Sequence, residues 1–121
     1  MTTKMTPRKL AHRWMKRVSK GHWGLIYGLC QITWLNHMNE NRTKEFVRGV
    51  FGLPVQKYKI TKIREITPTH HIVDIDIDWG FEPEPEAFKI SMSVICETAP
   101  YSPSVDGDWG ISPISTIPFR P

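Results

Sequence analysis

The hydrophobic positions of the chain change period once, from about 3.6 residues in the first half to 2 in the second. Thr6-Pro7 is a helix start, an N-cap hydroxyl followed by a residue whose fixed φ suits the first turn. Leu10, Ala11, Trp14 and Val18 then recur at three- and four-residue spacing, which predicts a helix to Ser19, ended by Lys20-Gly21. His22 to Leu35 places Trp23, Ile26, Tyr27, Cys30 and Trp34 on a second helical stripe, interrupted at Gly28. A third helix is predicted over Arg42 to Phe51, with Asn41 as its cap and Phe46, Val47 and Val50 facing inward. Gly52-Leu53-Pro54 stops it.

From Val55 onward the alternation is that of half-buried strands. Between Ile72 and Trp79, the side chains of Val73, Ile75, Ile77 and Trp79 share one face and those of Asp74, Asp76 and Asp78 the other. Phe88, Ile90, Met92, Val94 and Cys96 repeat the pattern against Lys89, Ser91, Ser93 and Glu97. Tyr58 and Ile60 are in phase but Ile63 is not, which predicts a bulge near Thr61-Lys62. A last strand is expected from Trp109 to Thr116, after an Asp106-Gly107-Asp108 turn. Glu82-Pro83-Glu84-Pro85-Glu86 reads as an extended acidic loop, because alternate prolines forbid a ladder. Helices first and an antiparallel meander afterwards make an α+β layout, with the helices packed in a curved sheet. One domain is expected over residues 1–121, with 1–5 and 117–121 as flexible or docking arms.

This order, with its Gly21-His22-Trp23 turn, the WGLIYGLC segment and the closing Gly-x-Trp-x-Ile of Gly107 to Ile111, resembles the nuclear-transport-factor-two-like superfamily, the cystatin-like cone fold. The likeness spans residues 6 to 117. It implies a sheet curled into a cone around the helices. Among such proteins, enzymes of the ketosteroid isomerase, scytalone dehydratase and polyketide cyclase kinds place Asp, His or Tyr inside the cone, whereas others are subunits of transport machines. Here the inward strand positions are Val73, Ile75, Ile77, Phe88, Ile90, Met92 and Val94, without a carboxylate. No catalytic residue, cofactor or metal is therefore assigned. Trp14, Tyr27, His37, Tyr58, Trp79 and Met92 are the candidates for lining a pocket that takes a small apolar ligand. Asp74, Asp76 and Asp78 stand about 7 Å apart along a strand and do not converge on one cation, so pairing with Lys57, Lys59 and Lys62 on a neighbouring strand is the simpler account. Adjacent His70 and His71 point to opposite faces of a strand.

At 121 residues, 40% hydrophobic and 23% charged, the chain has the makings of one packed core. Its longest apolar run, Gly24 to Leu35, is twelve residues, short of the roughly 20 that cross a membrane. No signal peptide is legible, so the expected address is soluble and intracellular, with Cys30 and Cys96 as buried thiols. Charge adds the strongest functional clue. Residues 1–64 carry fourteen Lys/Arg against two Asp/Glu, a balance of +12, and residues 65–121 carry two against ten, a balance of −8. The expected role is thus a non-enzymatic binding or assembly module. It self-associates or docks on a larger protein complex, with Arg13, Arg17 and Lys20 meeting Glu82, Glu84 and Glu86 of another copy and Ile117 and Phe119 adding an apolar contact. The alternatives are a small apolar ligand in the cone, or non-specific nucleic-acid binding through basic helix one.

Overall fold

The Thr6 hydroxyl accepts a hydrogen bond from the Lys9 amide and closes the first turn of α1, Pro7–Ser19, in a computed structural model that describes residues 5–80 and 88–120. α1 buries Leu10, Ala11, Trp14, Met15 and Val18 on one side, as its spacing predicts. Gly21, at φ +69°, takes the left-handed turn that ends it.

The second predicted helix is not continuous. His22 to Leu35 forms two 3-10 turns, Trp23–Leu25 and Tyr27–Leu29, then an extended Cys30 and a short helix α2, Ile32–His37. Gly24 and Gly28 weaken a continuous helix here. The main chain after them is also claimed by the sheet: the Gln31 amide donates to the Ile111 carbonyl at 2.9 Å, and Cys30 bridges Ile111 in parallel. α3 runs Glu40–Phe51, and its cap is Asn39, two residues before the predicted Asn41, with its side-chain oxygen accepting from the Arg42 amide at 2.8 Å. Gly52, at φ +72°, ends it.

Five antiparallel strands follow: β1 Lys57–Thr67, β2 His70–Asp78, β3 Phe88–Ala99, β4 Ser102–Pro103 and β5 Asp108–Ile111. β2 lies between β1 and β3, and both β4 and β5 pair with β3. The ladder between β1 and β2 shifts between Ile60 and Lys62, so Thr61 is the extra residue. That single insertion turns Ile63 inward behind Tyr58 and Ile60, and Arg64 outward behind Lys62. Trp79 lies one residue past β2, and β5 stops well short of the predicted Thr116. Pro113 has no amide to continue the ladder and instead begins a 3-10 turn, Pro113–Ser115. The tail beyond it is not a loose arm, because Phe119 exchanges two 2.8 Å main-chain hydrogen bonds with Lys89 and so extends the pairing along β3.

One apolar cluster joins the two halves of the chain. Val73, Ile75, Ile77, Ile90, Met92, Val94 and Ile111 on the inner sheet face pack with Trp14, Met15 and Val18 of α1 and with Ile26, Trp34, Val47 and Phe51. Two glycines let the backbones approach. A Cβ on Gly107 would lie 2.1 Å from the Glu97 carbonyl oxygen, and one on Gly110 would lie 2.3 Å from the Gln31 Cα. The Gly-x-Trp-x-Ile segment is therefore a clamp between β3, β5 and the strand-like Cys30-Gln31. Gly110→Ala is expected to cost more than about 2 kcal/mol, since the clash is with backbone rather than with a side chain that can swing away. Urea unfolding measures this, and a loss below about 0.5 kcal/mol would contradict the clamp.

Candidate functional site

The outer surface, rather than the interior, carries the ionic chemistry. Along α1 the side chains of Arg8, Lys9, Arg13, Lys16 and Lys20 are exposed, opposite the buried stripe. Among the described residues none of them forms an ion pair. Arg17 differs from expectation: it is half-buried, and its guanidinium donates to the Leu25 carbonyl at 2.6 Å, holding the 3-10 turn in place. Arg13 and Lys20 remain available to a partner. Glu82, Glu84 and Glu86, the proposed counterpart, lie outside the described residues. The Ile117 and Phe119 side chains are exposed even though the tail is paired to its own β3.

On the outer sheet face the register is the one the charges require, with Lys57 opposite Asp78, Lys59 opposite Asp76 and Lys62 opposite Asp74. The ion pairs themselves go elsewhere. Arg64, brought outward by the Thr61 bulge, grips Asp74 with two bonds, Nε at 2.8 Å and Nη2 at 2.9 Å, and Ser91 donates to the same carboxylate at 3.1 Å. Asp76 faces Lys89 at 3.4 Å, and the Asp78 carboxylate accepts from the Gly80 amide at 2.7 Å. Burial by itself would raise the Asp74 pKa. The hydrogen bonds from Arg64 and Ser91 and the charges of Arg64 and Lys62 outweigh it, and the group sits below its ordinary value. Lys57, Lys59 and Lys62 are consequently exposed and form no salt bridge among the described residues, Lys62 acting on Asp74 only through its charge at longer range.

The candidate pocket residues fall into two groups. Trp14 and Met92 are fully buried in the core cluster, with Tyr58 and Trp79 packed at its margin. Tyr27 and His37 sit around α2: the Tyr27 hydroxyl contacts the Leu35 and Met38 carbonyls, and the His37 Nε2 lies 2.7 Å from the Tyr101 hydroxyl. Tyr58 pairs with His12 of α1, and the Trp79 indole donates to the Leu53 carbonyl. The Trp14 indole N–H is buried without a hydrogen-bond partner among the described residues. A shallow depression of 490 Å3 opens elsewhere, between the Trp23–Leu25 turn and the Glu40 and Lys44 side chains.

Periodicity alone does not reveal the role of Glu97. Only 2% exposed, its carboxylate accepts from the Gln31 side-chain amide at 3.2 Å, the Thr33 amide at 3.0 Å and the Thr33 hydroxyl. It caps the start of α2 from across the fold, which the Gln31 side chain does not do. The Thr33 hydroxyl in turn accepts from the Tyr101 amide at 2.8 Å, tying down a residue with φ +61°. Alternation assigns Glu97 to the polar face of β3 with Lys89, Ser91 and Ser93, and it is buried because the 30–33 segment covers that end of the strand. His70 and His71 do diverge, His70 toward Ser93 at 3.0 Å and His71 onto the Trp109 ring at 4.7 Å. Both cysteines are buried thiols, and burial pushes Cys30 up to about 12.

No known family model matches this chain, and no curated protein matches it significantly. Among the described residues no helix is long and apolar enough to cross a membrane, and no three His, Cys, Asp or Glu side chains are grouped to hold a metal ion.

Because the folded-state pKa of Asp74 lies below its unfolded value, its stabilising contribution is complete above the ordinary carboxylate range and is lost as pH falls through the lowered value. Asp74→Asn is expected to lower the thermal midpoint at pH 7, with the gap from wild type closing as pH falls below the ordinary carboxylate value and through the lowered one. A gap that stays constant over that range would show that Asp74 acts through shape rather than charge.

Proposed function

We propose that the protein is a non-enzymatic assembly module that docks through charge-complementary surfaces, the basic outer face of α1 of one copy meeting the acid-rich half of another. The observation that carries this is the row Arg8, Lys9, Arg13, Lys16 and Lys20, exposed and without an ion partner among the described residues. A protein that only needed surface solvation has no reason to segregate charge at +12 and −8 between its halves. The counterpart on the partner copy is the Glu82–Glu86 segment together with Asp106 and Asp108. A nuclear-transport-factor-two-like cone suits such a role, since the inner sheet face is occupied by α1 and recognition is left to the outside.

One observation favours a second role. The Trp14 N–H, buried without a partner among the described residues, is the kind of donor that a small ligand with an apolar body and one acceptor would satisfy. The fully buried large side chains of the same core cluster, Met15, Ile75, Ile90 and Met92, leave the surface account the stronger of the two.

Absolute mass by light scattering on a sizing column tests the assembly. A mass above the monomer's at low ionic strength is expected, falling to monomer as salt shortens the Debye length toward about 3 Å. Arg13→Glu combined with Lys16→Glu is expected to abolish the larger species without changing the unfolding midpoint by more than a degree or two. A monomer at every salt and concentration would overturn the proposal, as would a duplex-DNA affinity that competes with self-association.

A further inference from the structure

The sheet has two edges of opposite character. Along β3 the outer edge is consumed: Lys89 pairs with Phe119, Ser93 with Ser112 and Ser115, residues 94–97 with β5, and Glu97 and Ala99 with β4. Along β1 it is open. Among the described residues no strand or loop hydrogen-bonds to the outward side of Lys57–Thr67, although this strand, at 11 residues, is one of the two longest in the sheet. Alternate main-chain N–H and C=O groups there face solvent as a ready template for pairing.

The side chains beside that edge define what fits it. On the inner face Tyr58, Ile60 and Ile63 pack against the core cluster yet remain half-exposed, since no neighbouring strand covers them. On the outer face Lys57, Lys59 and Lys62 are exposed, because the aspartates across from them are engaged by Arg64, Lys89 and the Gly80 amide. We propose that β1 accepts an extended segment of a partner protein as a sixth strand, apolar on its inward face and acidic on its outward face. Main-chain pairing supplies the register, Tyr58, Ile60 and Ile63 gain an apolar neighbour, and the three lysines gain carboxylates. A second copy of β1 is the wrong occupant, because antiparallel self-pairing sets lysines beside lysines. The Glu82–Glu86 segment is equally unsuitable, since Pro83 and Pro85 cannot donate to a ladder. The edge adjoins α1 where Tyr58 meets His12, but its lysines lie on the outer face of the sheet, away from the inner face on which α1 packs.

The test uses the full chain and a capped peptide of alternating Glu and Val, with the same peptide N-methylated at alternate residues as the control that keeps charge but loses main-chain donors. At about 50 mM salt the unmodified peptide is expected to bind and to slow hydrogen exchange at β1 amides, and the N-methylated one to bind at least tenfold more weakly. Lys57→Glu with Lys59→Glu, both at exposed positions, is expected to reduce affinity roughly tenfold or more, whereas Arg13→Glu leaves it unchanged. No binding would show that the lysines only guard the edge against pairing and would overturn the proposal. Equal binding of the two peptides, or loss with Arg13→Glu instead, would overturn it in favour of unspecific attraction to α1. Failure here leaves the α1 assembly untouched, because mass in solution and peptide protection of β1 report on different faces.

Discussion

Everything else in this fold depends on covering one apolar sheet face with one helix. Val73, Ile75, Ile90, Met92 and Val94 have no exposed surface, and the side chains that cover them include Trp14, Met15 and Val18 of α1. Burial of side chains of this size is worth about 1.5–3 kcal/mol each, far more than any single ionic contact on the surface. The helix can settle there only if the chain after it turns back promptly. Arg17 on the Leu25 carbonyl, the two 3-10 turns, and Gly110 against Gln31 all enforce that return. The same packing that stabilises the molecule thus fills the space between the helices and the inner sheet face with side chains.

With the interior committed to packing, chemistry moves outward, and there the arrangement is selective rather than merely charged. A uniform salt-bridge lattice over β1 and β2 would have neutralised the sheet. Instead the bulge at Thr61 swings Arg64 onto Asp74, Lys89 takes Asp76, and among the described residues the lysines of β1 form no salt bridge and its outward edge pairs with no strand. One inserted residue therefore does two things. It returns Ile63 to the core side of the sheet and brings Arg64 onto Asp74.

Much of this was legible in the sequence because period and charge are local signals. The Thr6-Pro7 start, the stripe of α1, the alternation of β2 and β3 and the bulge follow from spacing alone, whereas the expected Lys–Asp pairs give way to Arg64–Asp74 and Lys89–Asp76. Segment 22–35 misled because its stripe is helical in period while its backbone is held by β5, a contact eighty residues away in sequence. Glu97 escaped notice for a related reason: its partners Gln31 and Thr33 come from the same distant segment, and no rule of alternation announces a helix cap supplied by a strand. Glu82, Glu84 and Glu86, the proposed acidic counterpart, lie outside the described residues.

The central claim is that recognition resides on the outer cationic surface and not in the interior. Backbone amide chemical shifts recorded while an acidic polypeptide such as polyglutamate is titrated in at low salt test it most directly. Perturbations confined to residues 8–20 and 57–64, reversed by added salt, are the predicted result. Perturbations centred on Trp14, Ile90 and Met92, or none anywhere, would contradict it.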